Sequence, residues 1–300
     1  MREIKKIAVI GGGLMGSGIA QVVAEAGLGV CVNDISSDLV NNAIKNINKR
    51  WESKLKKNKI SEEDLSQLKK RLTGDEDIEK AVKDADMVIE AASEKINIKA
   101  EIFTRLGDLC PADVIIASNT SSISITKLAG FVKHPERFIG THFFSPVPAM
   151  KLMEIIPGLL TDRSVVDKVF EIGSRLGKIC VESKDTIGFI VNKLLDPMVN
   201  DAIKLLDDGV GTVEDIDAAM KYGCGHPMGP FELMDMAGID IEYAVMQVFY
   251  EETGDVKYMP APLLKKMIQS GLLGKKTGKG WYIYHDDGTK TVNPVLQRLK

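Results

Sequence analysis

The chain has 300 residues, 44% of them hydrophobic and 27% charged, with a formal net charge of −3. That length and apolar content suit two domains of ordinary size, each with its own core. The near-neutral charge gives no global pull toward nucleic acid or an anionic membrane, and the four scattered cysteines (Cys31, Cys110, Cys180, Cys224) contain no C-x-x-C pair, which argues against a disulfide framework. The first strand-like run begins almost at once, leaving no room for a signal peptide. No apolar stretch is long enough to span a bilayer. A soluble, cytoplasmic protein is the expectation.

Lys6-Ile-Ala-Val-Ile10 reads as a buried strand feeding Gly11-Gly-Gly13-Leu14-Met15-Gly16, a G-x-G-x-x-G loop. Helical spacing follows (Met15, Ile19, Val22, Val23, Ala26), then a second strand, Val30-Cys-Val-Asn33, closed by Asp34 eighteen positions after Gly16. Strand, loop, helix, strand and acidic residue in this order form the dinucleotide-binding fingerprint. Gly11 takes the tight turn, Gly13 lets the backbone approach a pyrophosphate, and Gly16 lets helix and strand pack closely. Leu14 and Met15 open the helix whose unpaired N–H groups attract the phosphates. Asp34 suits the hydroxyls of an adenosine ribose and repels a 2′-phosphate. Neither Ile35 nor Ser36 offers an offsetting cation, so NAD is favoured over NADP.

The α/β alternation continues. Ile44, Ile47, Trp51 and Leu55 mark an amphipathic helix, and Ser61-Glu-Glu-Asp64 resembles a capping box opening the next one. Met87–Ala91, Val114–Ala117, Phe138–His142, Leu152–Ile156 and Lys178–Val181 read as strands, with helices around Ile102–Leu109 and from about Ser164 to Leu176. Past Asp185 the pattern turns mainly helical, apart from Trp281–Tyr284, and Thr212-Val-Glu-Asp215 marks another helix start. The expected architecture is a Rossmann-type, doubly wound, mostly parallel sheet over residues 1–185, followed by a mainly α-helical domain over 186–300.

His142 closes a predicted strand of the sheet that carries the cofactor, and ligands in such folds bind beyond the carboxyl ends of the strands. An imidazole titrates near neutral pH, which suits a base for a hydroxyl proton. Glu154 lies twelve residues on, inside an apolar strand, where a lone carboxylate is costly. If the Pro146–Pro148 segment turns the chain back, Glu154 can hydrogen-bond His142. The spacing leaves two alternatives open: a satisfied core histidine and an outward-pointing glutamate. The polar run Ser118-Asn-Thr-Ser-Ser122 after a strand suits a substrate oxygen or simply a capping loop. Asn192, among apolar neighbours, must find a partner or face outward. The four histidines lie far apart with no Cys or paired carboxylates at ligand spacing, so no metal site is indicated.

These segments together resemble the L-3-hydroxyacyl-CoA dehydrogenases, in particular the short monofunctional 3-hydroxybutyryl-CoA dehydrogenase type. The resemblance runs through Gly11–Ala20, Val88-Ile-Glu-Ala-Ala-Ser-Glu94, Ala117–Ser122, His142-Phe-Phe-Ser-Pro-Val-Pro148 and Lys151–Glu154. In the second domain it continues through Gly188-Phe-Ile-Val-Asn192, His226–Pro230 and Lys276–Tyr282. It implies NAD-dependent interconversion of (S)-3-hydroxyacyl-CoA and 3-oxoacyl-CoA. His142 is then the base, Glu154 its orienting carboxylate, and Ser121 and Asn192 the contacts to the substrate's 3-oxygen. Glu94, Lys99, Asn119 and Lys276 match positions that line the family's NAD site. Ser145 departs from the family's commoner Asn, a shorter group in the same loop.

An acyl-CoA substrate has local support, because Lys45 to Lys59 holds seven basic residues against one acidic, Glu52. Lys54 and Lys57 are the candidates to grip coenzyme A phosphates, although a solvated basic face accounts for most of these lysines. The resemblance also implies a homodimer through the helical domain. Two rival functions are an L-gulonate or other hydroxyacid dehydrogenase on the same scaffold, and a non-catalytic NAD-binding protein.

Overall fold

The computed structural model describes residues 3–299. The chain divides into two compact units, the first ending at Phe189 and the second beginning at Ile190.

In the first unit β1 (Lys6–Ile10) leads through the glycine loop into α1 (Leu14–Glu25), β2 (Gly29–Asn33) and α2 (Ser37–Lys56). Next come α3 (Glu62–Arg71), β3 (Leu72–Asp75), α4 (Ile78–Val82), β4 (Met87–Glu90) and α5 (Ile96–Leu109). The unit is completed by β5 (Ile115–Ser118), α6 (Ile125–Ala129), β6 (Phe138–Phe143), β7 (Leu152–Pro157), α7 (Arg163–Arg175) and β8 (Ile179–Glu182). The strands lie in the order β3-β2-β1-β4-β5-β6-β7-β8. The first six pair in parallel, the Rossmann order with its switch point beside β1. Only β7 reverses against β6, and β8 then runs parallel to β7.

Alternation along β1 shows why both faces need helices. Ile7 and Val9 join a core with Ile19 and Val23 of α1, Trp51 of α2 and Val169 of α7. Ala8 and Ile10 point the other way, into a core with Phe103 of α5, Leu128 of α6 and Phe138 of β6. The Ser61 side chain accepts from the Asp64 N–H while the Asp64 carboxylate accepts from the Ser61 N–H, so α3 starts with the expected reciprocal cap. Within this unit one strand escaped the sequence pattern. Leu72-Thr-Gly-Asp75 forms the edge strand β3 with a single buried apolar residue, too little to produce alternation.

The second unit holds α8 (Val191–Asp207), α9 (Val213–Ala218), α10 (Pro230–Ala237), α11 (Ile239–Thr253) and α12 (Pro262–Gln269). A short antiparallel pair, β9 (Tyr282–Tyr284) and β10 (Lys290–Val292), follows. Its core gathers Val199, Ile203, Phe231, Met234, Met246, Leu264 and Trp281. Two buried aspartates clasp the β9 end to this core. Asp217 accepts from the Phe231 and Glu232 N–H groups and the Tyr282 hydroxyl, and Asp235 from the Trp281 and Tyr282 N–H groups. Among the described residues no helix is long and apolar enough to cross a membrane.

Candidate active site

The glycine loop separates what the fold needs from what a ligand needs. Gly11 has a φ of +102°, and a Cβ there would lie 2.6 Å from the Ala91 carbonyl oxygen. At Gly16 a Cβ would lie 1.7 Å from the Gly11 carbonyl oxygen. Both glycines are therefore required by backbone packing. A Cβ on Gly13 would meet nothing within 4 Å, so no contact among the described residues explains that glycine. α1 starts at Gly13 with no side-chain cap and no acidic residue in its first turn, leaving its N–H groups to an anion. Leu14, 72% exposed, and half-buried Met15 form that first turn.

Asp34 is fixed to the same loop. Its Oδ2 accepts from the Gly12 N–H at 2.7 Å and its Oδ1 from the Ile35 N–H at 2.7 Å. Beside it lies a cleft of about 330 Å³ lined by Gly11, Asn33, Asp34, Ile35, Ile78 and Ile102 among others. An apolar slot next to a carboxylate and a bare helix terminus fits an adenine, its ribose and a pyrophosphate.

At the carboxyl end of β6 the antiparallel register sets His142 opposite Glu154. Residues paired this way project from the same face of the sheet. The His142 Nδ1 lies 2.7 Å from the Glu154 Oε2, with the two side chains 8% and 0% exposed. An ionised carboxylate can only accept, so a neutral imidazole paired with it carries its proton on Nδ1 and leaves Nε2 free to accept one. The adjacent Phe143 N–H donates to the Asn119 Oδ1 at 2.9 Å. Asn119 in turn anchors to β4 by donating its own N–H to the Glu90 carbonyl at 2.7 Å.

A second polar array holds the loop that carries Ser121. Lys99 is only 1% exposed and donates to both Glu90 oxygens, at 2.6 and 2.8 Å. The Ser118 hydroxyl and the Ala92 N–H also donate to the Glu90 carboxylate. Lys99 reaches Glu94 as well, at 3.2 Å. Burial alone would raise the Glu94 carboxyl's pKa. The Lys99 ammonium, the Thr120 hydroxyl and the Ser121 N–H outweigh burial and hold it below the usual carboxylate range. Glu94 Oε1 accepts from the Thr120 hydroxyl at 2.5 Å and the Ser121 N–H at 2.9 Å. The Ser121 hydroxyl stands 3.5 Å from the same oxygen, too long to hold it there.

The remaining candidates are placed as follows. Asn192 sits half-buried in the first turn of α8. Lys276 pairs with Asp240 near the start of α11. Lys54 is held by Glu25 at 2.6 Å, whereas Lys57 is exposed. Glu25 also receives the Trp51 indole N–H at 2.9 Å, so Lys54 belongs to a packed network rather than a free basic face.

Residues 6–186 match the family model described as "3-hydroxyacyl-CoA dehydrogenase, NAD binding domain", and residues 188–284 match "3-hydroxyacyl-CoA dehydrogenase, C-terminal domain". The chain belongs to the 3-hydroxyacyl-CoA dehydrogenase family. It is similar to a 3-hydroxybutyryl-CoA dehydrogenase of Bradyrhizobium diazoefficiens, 46% identical over 96% of this chain and 98% of that protein. One from Clostridioides difficile is 42% identical over 93% of this chain and 99% of the relative. Among solved structures, the (S)-3-hydroxybutyryl-CoA dehydrogenase of Ralstonia eutropha superposes with a TM-score of 0.91 at 43% identity, covering 95% of this chain and all of that one.

As a member of the 3-hydroxyacyl-CoA dehydrogenase family the chain is an NAD-dependent oxidoreductase. The NAD-binding match contains the whole His142–Glu154 pair and the Glu90–Lys99 array, while Asn192 and Lys276 fall in the C-terminal match. Sequence reasoning passed over Glu90, although an acidic residue inside the apolar run Met87-Val-Ile-Glu90 carried the signal. It also passed over Lys178, a buried lysine that donates to the Val147 and Met150 carbonyls at 2.5 and 2.7 Å and braces the loop after His142. Nothing in the local pattern of Lys178 marked that role.

Proposed function

We propose that this chain interconverts (S)-3-hydroxyacyl-CoA and 3-oxoacyl-CoA, with short acyl chains such as 3-hydroxybutyryl-CoA preferred. The observation that carries this reading is the buried His142–Glu154 pair at the carboxyl end of β6. In oxidation, His142 Nε2 takes the 3-hydroxyl proton, and Glu154 stabilises the imidazolium that results. When bound, NAD would supply the acceptor for the hydride leaving C3 and, in its reduced form, the donor for the reverse direction. The hydroxyl of Ser121 and the amide of Asn192 align the 3-oxygen. Leu14, Met15, Glu94, Lys99, Asn119 and Lys276 serve the cofactor. Lys57 is the better coenzyme A contact of the two lysines, since Glu25 already neutralises Lys54.

The first domain holds NAD, and the helical one serves substrate binding and dimerisation. Exposed apolar side chains of the second unit, Leu194, Met236 and Ile241 among them, support a homodimer, and light scattering on the purified protein tests it. The cytoplasm is the proposed compartment. Acetoacetyl-CoA with NADH should give rapid NADH consumption, and L-gulonate with NAD little or none. The opposite ranking would move the chain to the hydroxyacid dehydrogenases, and no turnover with either would leave an NAD-binding protein.

A further inference from the structure

His142 has neighbours besides Glu154. Its ring centroid lies 4.5 Å from that of Phe144 and 5.6 Å from that of Phe189, tilted by 53° and 57°. Phe144 directly follows β6. Phe189 comes from the last position of the first unit, although the C-terminal family match already begins at residue 188. It is 3% exposed and packs in the core that contains Ile125 and Phe138.

Its backbone is unusual. Phe189 has a φ of +51°, and among the described residues the other non-glycine in this region is Asn58. Asparagine tolerates the left-handed conformation, whereas a bulky aromatic side chain is strained there. Gly188, with a φ of +72°, precedes it, and the Phe189 N–H donates to the Thr186 carbonyl at 3.0 Å. Just upstream, the Asp185 carboxylate accepts from the Ser124 hydroxyl and from the Ile125 and Thr126 N–H groups, at 2.8–2.9 Å. The segment is thus clamped to α6 and then turned sharply by two left-handed residues. The outcome of that turn is an aromatic ring beside the His142 imidazole. Strain of this kind persists only where the surrounding structure holds it, and it gathers at functional sites.

We propose that Phe189 is a positioning residue for His142, walling one flank of the imidazole and keeping water off its hydrogen bond to Glu154. Excluding water strengthens that bond, because a polar contact is worth more in a low local dielectric. The ring is thereby held with Nδ1 protonated and Nε2 free to act as base. This rests on the assignment of His142 as the base, and it adds the reason the buried pair stays aligned.

Protein labelled with ¹⁵N-histidine carries four imidazoles, and their nitrogen shifts report the tautomer of each. Wild type should show His142 in the Nδ1-protonated form at neutral pH. In Phe189→Leu the two tautomers should mix, and kcat per folded molecule should fall roughly 10–100-fold. KM for acetoacetyl-CoA and the Kd for NADH should stay near wild type. Phe189→Tyr, which keeps the aromatic wall, should restore both readings. A Phe189→Leu protein with an unchanged tautomer and unchanged kcat, merely lowered in Tm, would show that the ring only fills the core and would overturn the proposal. If the leucine variant does not fold, Phe189→Met carries the same readings. The tautomer signal needs no turnover, so a locked wild-type His142 in an inactive protein would refute the dehydrogenase reading instead.

Discussion

Glu154 faces His142 across the antiparallel β6–β7 pair, its Oε2 2.7 Å from the imidazole Nδ1 and the carboxylate fully buried. A charge so placed is tolerated because its partner is built into the strand register. In His142→Gln no side chain can take the proton, and turnover of acetoacetyl-CoA should drop by about 10²–10⁴-fold with NADH binding intact. Glu154→Gln keeps the hydrogen bond's shape but not its charge, and should cost less at saturating substrate. Fluorescence titration of NADH alongside steady-state kinetics checks both, and near-normal turnover in His142→Gln would refute the base assignment.

The glycine loop yields a contrast between two single methyl groups. Gly13→Ala places its Cβ in open space, so Tm should barely move while the Kd for NADH rises by about tenfold or more. Gly16→Ala drives its Cβ into the Gly11 carbonyl and should destabilise the fold itself, by about 1–3 kcal/mol or more. Thermal melts and NADH titration of the two variants would separate ligand space from packing space. Equal losses of Tm would show that Gly13 is structural after all.

Lys99 is a buried cation between Glu90 and Glu94. Lys99→Met leaves the Glu90 carboxylate buried without its cation, and urea unfolding should register a loss of about 3–5 kcal/mol. Lys99→Met combined with Glu90→Gln removes both charges and should recover a good part of it. Additive losses in that cycle would mean the pair is not coupled.

Asp196 in α8 is buried, and its Oδ2 has no hydrogen-bond partner among the described residues. Burial first, and the charge of Glu242 second, push its carboxyl up to about 8. The folded state therefore holds this proton more tightly than the unfolded chain, where an aspartate titrates near pH ~4. Its stability contribution is complete below the unfolded value and is lost as pH rises toward about 8. Asp196→Asn removes that dependence, so the variant should gain Tm over wild type at about pH 8 and gain much less at about pH 5. Parallel melting curves at the two pH values test the sign. A gain that is larger at the acid end would contradict it.

The local signals in this chain were strong wherever one segment sufficed to define a geometry. Lys6–Asp34 specified strand, glycine turn, helix and acidic strand end, because each part is set by neighbours a few residues away. The caps at Ser61 and Thr212 were legible for the same reason. The edge strand β3 was not, since one buried leucine in four residues produces no periodicity and its pairing with β2 supplies what the pattern lacks.

The sequence by itself determined the doubly wound class, the strand–glycine loop–helix unit closed by Asp34, and the residue types able to move a proton. It could name His142 and Glu154 but left each with an ordinary alternative. The tertiary structure decided that Glu154 points to His142 rather than outward, because only the reversal of β7 against β6 brings position 154 opposite position 142 and on the same face. It likewise decided that Glu90 and Lys99 form one buried pair, that Lys54 is already neutralised by Glu25, and that a strained Phe189 lies against the imidazole. Those relationships depend on strand direction and on chain segments far apart in sequence, and no local spacing encodes them.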